Sequence, residues 1–146
     1  MRTSVNEFVI ESFDIPHHET DNRGFLIDAG GQRIAYMCDL EYCPYDLSDK
    51  GINVLIIECN YIMDLVDEDA PNLVHKVQGH LELETCIDII KMCRRNLRKV
   101  FLVHMSKGVT MDRERVMKRM SEEIPAYIEV QFAKPGETYD ISECPF

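Results

Sequence analysis

Five residues in this chain combine the right chemistry with a suggestive spacing: His17, His18, Asp39, His80 and His104. Imidazole and carboxylate together are the usual donors for zinc and similar divalent ions. They are scattered and form no compact C-x-x-C or H-E-x-x-H unit, so only a fold can bring them together. The alternative is plain: Asp39 caps a turn, His17 and His18 are solvated in a loop, and His104 is a half-buried imidazole with a hydrogen bond. The fifth histidine, His75, lies in a mixed segment and receives no role.

The elements that must position these residues can be read from the apolar runs. Lys99-Val-Phe-Leu-Val-His104 reads as a buried strand, Val100 to Val103, that ends on an imidazole. Ligands collect at the carboxyl ends of strands in open α/β sheets, which makes that placement suggestive. Phe8 to Ile15 is a strand closed by Pro16, with a polar loop from His17 to Gly24. Phe25–Asp28 and Arg33–Cys38 form a hairpin about Gly30-Gly31, and the second arm stops at Asp39. Asn53 to Cys59 is a continuous apolar run and reads as the central strand. Tyr61 to Val66 reads as a short helix. Glu82 to Arg95 is an amphipathic helix with Leu83, Ile87, Ile89 and Ile90 inward. Thr110 is expected to cap a second helix with Asp112 in its first turn, Val116 and Met120 on one face, and Pro125 at its close. Ile128–Phe132 is the last strand, and Thr138–Ile141 adds an edge. The order β-β-β-β-α-β-α-β describes a mixed α/β sheet in a single domain spanning 1–146.

Composition bounds the function. A chain of 146 residues with 45% apolar content can bury a core. A formal net charge of −10 opposes direct binding to nucleic-acid phosphate and suits contact with basic protein surfaces. Cys38, Cys43, Cys59, Cys86, Cys93 and Cys144 form no C-x-x-C pair. With no apolar signal segment in Met1–Glu11, they read as reduced thiols of a cytoplasmic protein. No run approaches the roughly 20 apolar residues that span a bilayer.

Five stretches then carry a resemblance. Phe13-Asp-Ile-Pro-His-His18 with Gly24-Phe-Leu-Ile27, Ile34-Ala-Tyr-Met-Cys-Asp39, Ile56-Ile-Glu-Cys-Asn-Tyr61, Gly79-His-Leu-Glu-Leu-Glu84 and Leu102-Val-His-Met-Ser106 follow one another as in the metallo-β-lactamase superfamily. The chain resembles the bacterial and phage-type hydrolases of that fold. The resemblance implies that His17, or His18 one residue on, ligates a first metal, zinc or manganese. It implies that Asp39 bridges two metals, that His104 ligates the second, and that His80 assists the reaction. Cys38 stands where the family has threonine, and His18 where it often has aspartate.

The family's H-x-H-x-D-H motif, which belongs to the amino-terminal half, is absent. The implied fold is therefore half of a four-layer αββα sandwich: one mixed β-sheet with flanking helices. Two consequences are expected. The metal site is incomplete in one chain, and an apolar face from the Ile34 and Val54 strands lacks its partner sheet. A homodimer, or a complex with another protein, would cover that face. Two functions follow. One is a truncated, non-catalytic binding protein, such as a phage-type inhibitor of a host nucleic-acid enzyme or defence complex. The other is a phosphodiesterase- or nuclease-type hydrolase, completed by dimerisation or by a separate amino-terminal half.

Overall fold

The computed structural model describes residues 1–141. Its strands are β1 (Arg2–Val5), β2 (Phe8–His17), β3 (Thr20–Ala29), β4 (Gln32–Met37), β5 (Val54–Glu58), β6 (Lys99–Val103) and β7 (Glu129–Phe132). Its helices are α1 (Leu73–Gly79), α2 (Leu83–Cys93), α3 (Lys107–Met111) and α4 (Arg113–Glu123), with a 3-10 turn at Met63–Leu65. All seven strands form one sheet in chain order. Short turns join β1 to β4, so these run antiparallel. From β4 onward the pairing is parallel, because each connection is long enough to cross back over the sheet.

Gly30 and Gly31 both take positive φ, 56° and 80°, as a tight primed hairpin turn requires. β2 runs through Pro16 rather than stopping before it. The Pro16 carbonyl accepts from the Glu41 amide at 2.9 Å. The missing N–H of Pro16 therefore faces away from β3 and breaks no rung with it. The expected loop after Pro16 shrinks accordingly to a turn at His18, and β3 already begins at Thr20.

Two further expectations are corrected. Thr110 does not cap a helix: it lies within α3, with its hydroxyl donating to the Ser106 carbonyl at 3.0 Å, and α4 starts after Asp112. Thr138–Ile141 is no edge strand. The turn at Gly136, with φ of 80°, folds the chain back so that the Tyr139 ring lies 5.0 Å from that of Phe101. Cys144 lies outside the described residues, and the other five cysteines are free.

The core lies on one face of the sheet. Leu55, Ile57, Val100 and Leu102 there meet Ile87 and Ile90 of α2 and Met120 of α4. The register puts Ile10, Ile27, Ile34 and Val54 in one row of the opposite face, and Phe25, Tyr36, Ile56 and Phe101 in the next. Val54 and Phe101 are buried in the chain itself, while Tyr36 is 37% exposed. Among the described residues, no helix is long and apolar enough to cross a membrane.

Candidate metal centre

Parallel pairing decides where the site forms. β4, β5 and β6 run the same way, so their carboxyl ends share one rim of the sheet. Asp39 follows β4 by two residues, Glu58 is the last residue of β5, and His104 follows β6 by one. His80 reaches the same rim from the link between α1 and α2. That link is fixed by the Asn60 amide donating to the Leu81 carbonyl, at 2.9 Å, and by the Leu83 amide donating to the Tyr61 carbonyl, also at 2.9 Å. Donor atoms of Asp39, Glu58, His80 and His104 all lie within 4.8 Å of one another.

Glu58 is the hub of this group. It is fully buried, one oxygen accepting from the Leu40 amide at 3.0 Å and the other 2.7 Å from His80 Nδ1. His104 Nδ1 lies 3.2 Å from the Glu58 carboxylate and 2.8 Å from that of Asp39. Burial pushes the Glu58 carboxyl up to about 7, against the pull of the Leu40 amide and of His104. Burial also depresses the His80 imidazole, with Asp39 opposing. Burial first, then Glu58 and Asp39, push the Cys38 thiol up to about 11.

Asp39 and His104 both adopt left-handed backbone, with φ of 55° and 49°, which costs a residue bearing a Cβ on the order of 1 kcal/mol. Two asparagines hold those turns. Asn22 Nδ2 donates to the Cys38 carbonyl at 2.8 Å and also to that of Asp39. Asn60 Nδ2 donates to the His104 carbonyl at 2.9 Å.

β2 runs in the same direction as β4, so its end reaches the same rim too. His17 sits there with its Nδ1 against the Gly79 carbonyl and its ring 5.3 Å from that of His80. It lies outside the group of four. His18, exposed on its left-handed turn with φ of 46°, faces His75 and is farther from the group. Asp39, His104 and His80 are thus brought together, whereas His17 stands beside them and His18 apart. Sequence reasoning gave no role to Glu58, Asn22, Asn60 or His75. The signal for Glu58 was available: a carboxylate ending the most apolar strand, as Asp39 and His104 stand just past the ends of theirs.

The donor set fits a divalent ion. Two carboxylates and two imidazoles converge with no lysine or arginine among them, and such a set suits zinc or manganese.

Comparison with known proteins agrees with this geometry. A family model described as "Beta-lactamase superfamily domain" matches residues 2–105. No curated protein sequence matches the chain. Among solved structures, the metallo-β-lactamase fold protein YhfI from Bacillus subtilis is 19% identical, with a TM-score of 0.69 over 96% of this chain and 52% of that one. Zinc-bound PqqB from Methylobacterium extorquens is 17% identical, with a TM-score of 0.66 over 97% and 53%. A diphosphatase of the PhnP family is 14% identical, with a TM-score of 0.56 over 89% and 43%. The chain thus spans about half the length of these structures.

Proposed function

We propose, from the premise that this chain belongs to the beta-lactamase superfamily, that it carries one half of a metal-dependent hydrolase centre acting on phosphoesters. The supporting observation is the convergence of Asp39, Glu58, His80 and His104 within 4.8 Å. In this reading Asp39 and His104 hold the ion directly. His17 joins them through Nε2, which its Nδ1 contact with Gly79 leaves free. Zinc or manganese there supplies Lewis-acid polarisation of a phosphoryl oxygen and a lowered pKa for the attacking water. Glu58 acts through His80: it fixes Nδ1 and so leaves Nε2 to deliver a proton to the leaving group. The donors needed for a second ion come from outside these residues.

Metal titration of the purified chain tests this. Zinc or manganese should bind stoichiometrically at micromolar concentration. Asp39→Ala and His104→Ala should abolish that binding, and His80→Ala should leave it within a few-fold. A chain that takes up neither ion overturns the reading.

A second reading rests on the opposite face of the sheet, where Tyr36 is 37% exposed beside half-buried Phe25, Ile34 and Ile56. A protein partner, either a second copy or another chain, covers that face, and the molecule acts by binding. Light scattering then gives a mass near twice 17.0 kDa, or a stable complex with the partner. A 17.0 kDa particle at high concentration, with no complex formed, counts against it.

A further inference from the structure

A groove of about 440 Å³ opens between the β2–β3 hairpin and the loop after Asp39. It shares a wall with the metal centre. His17, which lines it, packs its ring 5.3 Å from His80, and Asn22, which also lines it, holds the Asp39 carbonyl. Four aromatic or imidazole rings line it: His17, His18, Tyr42 and Tyr45. Tyr42 is 48% and Tyr45 42% exposed. What marks these two among the chain's exposed hydrophobic side chains is that both line one groove next to the metal centre. Their backing is firm. Phe13 meets Tyr45 edge-on at 5.6 Å, and the Glu41 amide ties the loop to the Pro16 carbonyl. The rim is acidic. Asp21 makes no hydrogen bond or ion pair among the described residues, and Asp14 is offset only by Arg23 at 3.2 Å.

We propose that this groove seats the base of a mononucleotide whose phosphate is presented to the metal centre. Planar rings stack on tyrosine and histidine faces without regard to sequence. A carboxylate on the rim accepts from an exocyclic amino group, as acidic side chains do with cytosine. This favours adenine or cytosine over uracil. The acidic rim and the net charge of −10 disfavour a polynucleotide track, so the ligand is a small nucleotide. This inference deepens the phosphoester reading and rests on it for the phosphate end alone.

Calorimetry of the manganese-loaded chain with AMP, UMP and ribose 5-phosphate separates the two ideas. AMP should bind about tenfold tighter than ribose 5-phosphate, with UMP between them. Tyr42→Ala with Tyr45→Ala should erase that advantage while manganese stoichiometry and ribose 5-phosphate affinity stay unchanged. Asp21→Asn should narrow the gap between AMP and UMP. Equal affinities for AMP and ribose 5-phosphate, or a double variant that keeps the preference, overturn the base groove and leave the metal centre standing. Loss of manganese binding by the parent chain would instead sink the phosphoester reading. In that case AMP binding in EDTA that responds to the tyrosine variants still supports the groove, and its absence overturns it.

Discussion

Among the described residues Glu58 has no cation beside it except what His80 and His104 can provide, and this governs its titration. Its carboxyl lies at about 7 in the fold against an ordinary 4.5, because burial penalises the charged form. The folded state therefore binds the extra proton between those values. Its stabilising share is complete below the ordinary value and is lost as pH rises through about 7. His80 is shifted the other way, so its contribution is present above its ordinary 6.5 and is lost as pH falls. Comparing the metal-free parent with Glu58→Gln isolates the first effect. The variant should gain on the parent as pH rises from 5 to 8, by up to roughly 3 kcal/mol. Chemical denaturation at a series of pH values measures it, and a difference independent of pH would mean that Glu58 ionises normally. Asn60→Ala removes the only side-chain hold on the His104 carbonyl among the described residues. It should weaken metal binding by about 10- to 100-fold with little loss of fold. Unchanged affinity would relegate Asn60 to a structural role.

Among the elements, the junction between α1 and α2 at Gly79 bears most directly on the site. A Cβ there would stand 3.1 Å and 3.2 Å from ring atoms of His17, and the same carbonyl accepts from that ring. Gly79→Ala should push His17 off the rim and cost roughly 1–3 kcal/mol. Thermal melting together with metal affinity checks this, since a purely local clash would lower stability and leave affinity alone. The elements differ in how plainly they could be read beforehand. β5, β6 and α2 were legible because their apolar pattern matches the burial they undergo. The Gly30-Gly31 turn was legible because only glycine takes two successive positive φ angles without cost. β1 was missed because all four of its residues are exposed and carry no alternation. α1 was missed because no side chain caps it and only Gly79 of its residues is buried, so no apolar stripe marks it. Pro16 misled because a proline signals a strand end unless its empty side faces away from the partner strand, and only the third dimension shows that.

At the scale of the molecule, the question is what the sheet's second face meets. An open apolar face on the Ile34 and Val54 strands was anticipated from the missing sheet, and the register lays it out as the row Ile10, Ile27, Ile34, Val54 and the row Phe25, Tyr36, Ile56, Phe101. The structure qualifies that expectation, since residues near Tyr139 already shelter Phe101. If a partner covers what remains, Ile34→Lys with Tyr36→Glu should leave a folded 17.0 kDa monomer while the parent sediments heavier. Identical masses for both would mean that the face stays bare. The order of Asp39, His80 and His104 along the chain was legible, and their gathering was implied by the resemblance, whereas spacing alone could not show it and Glu58 went unseen. Asp39, Glu58 and His104 come from three segments, and only the parallel register shows that their strands end level.

The donors hang from the tips of three adjacent strands, so any ion gripping them would act as a rivet through the middle of the sheet. Hydrogen exchange should then slow most at the backbone amides around Leu40, Cys59 and Met105. The outer ribbon, β1 with its partner, would go on breathing as before.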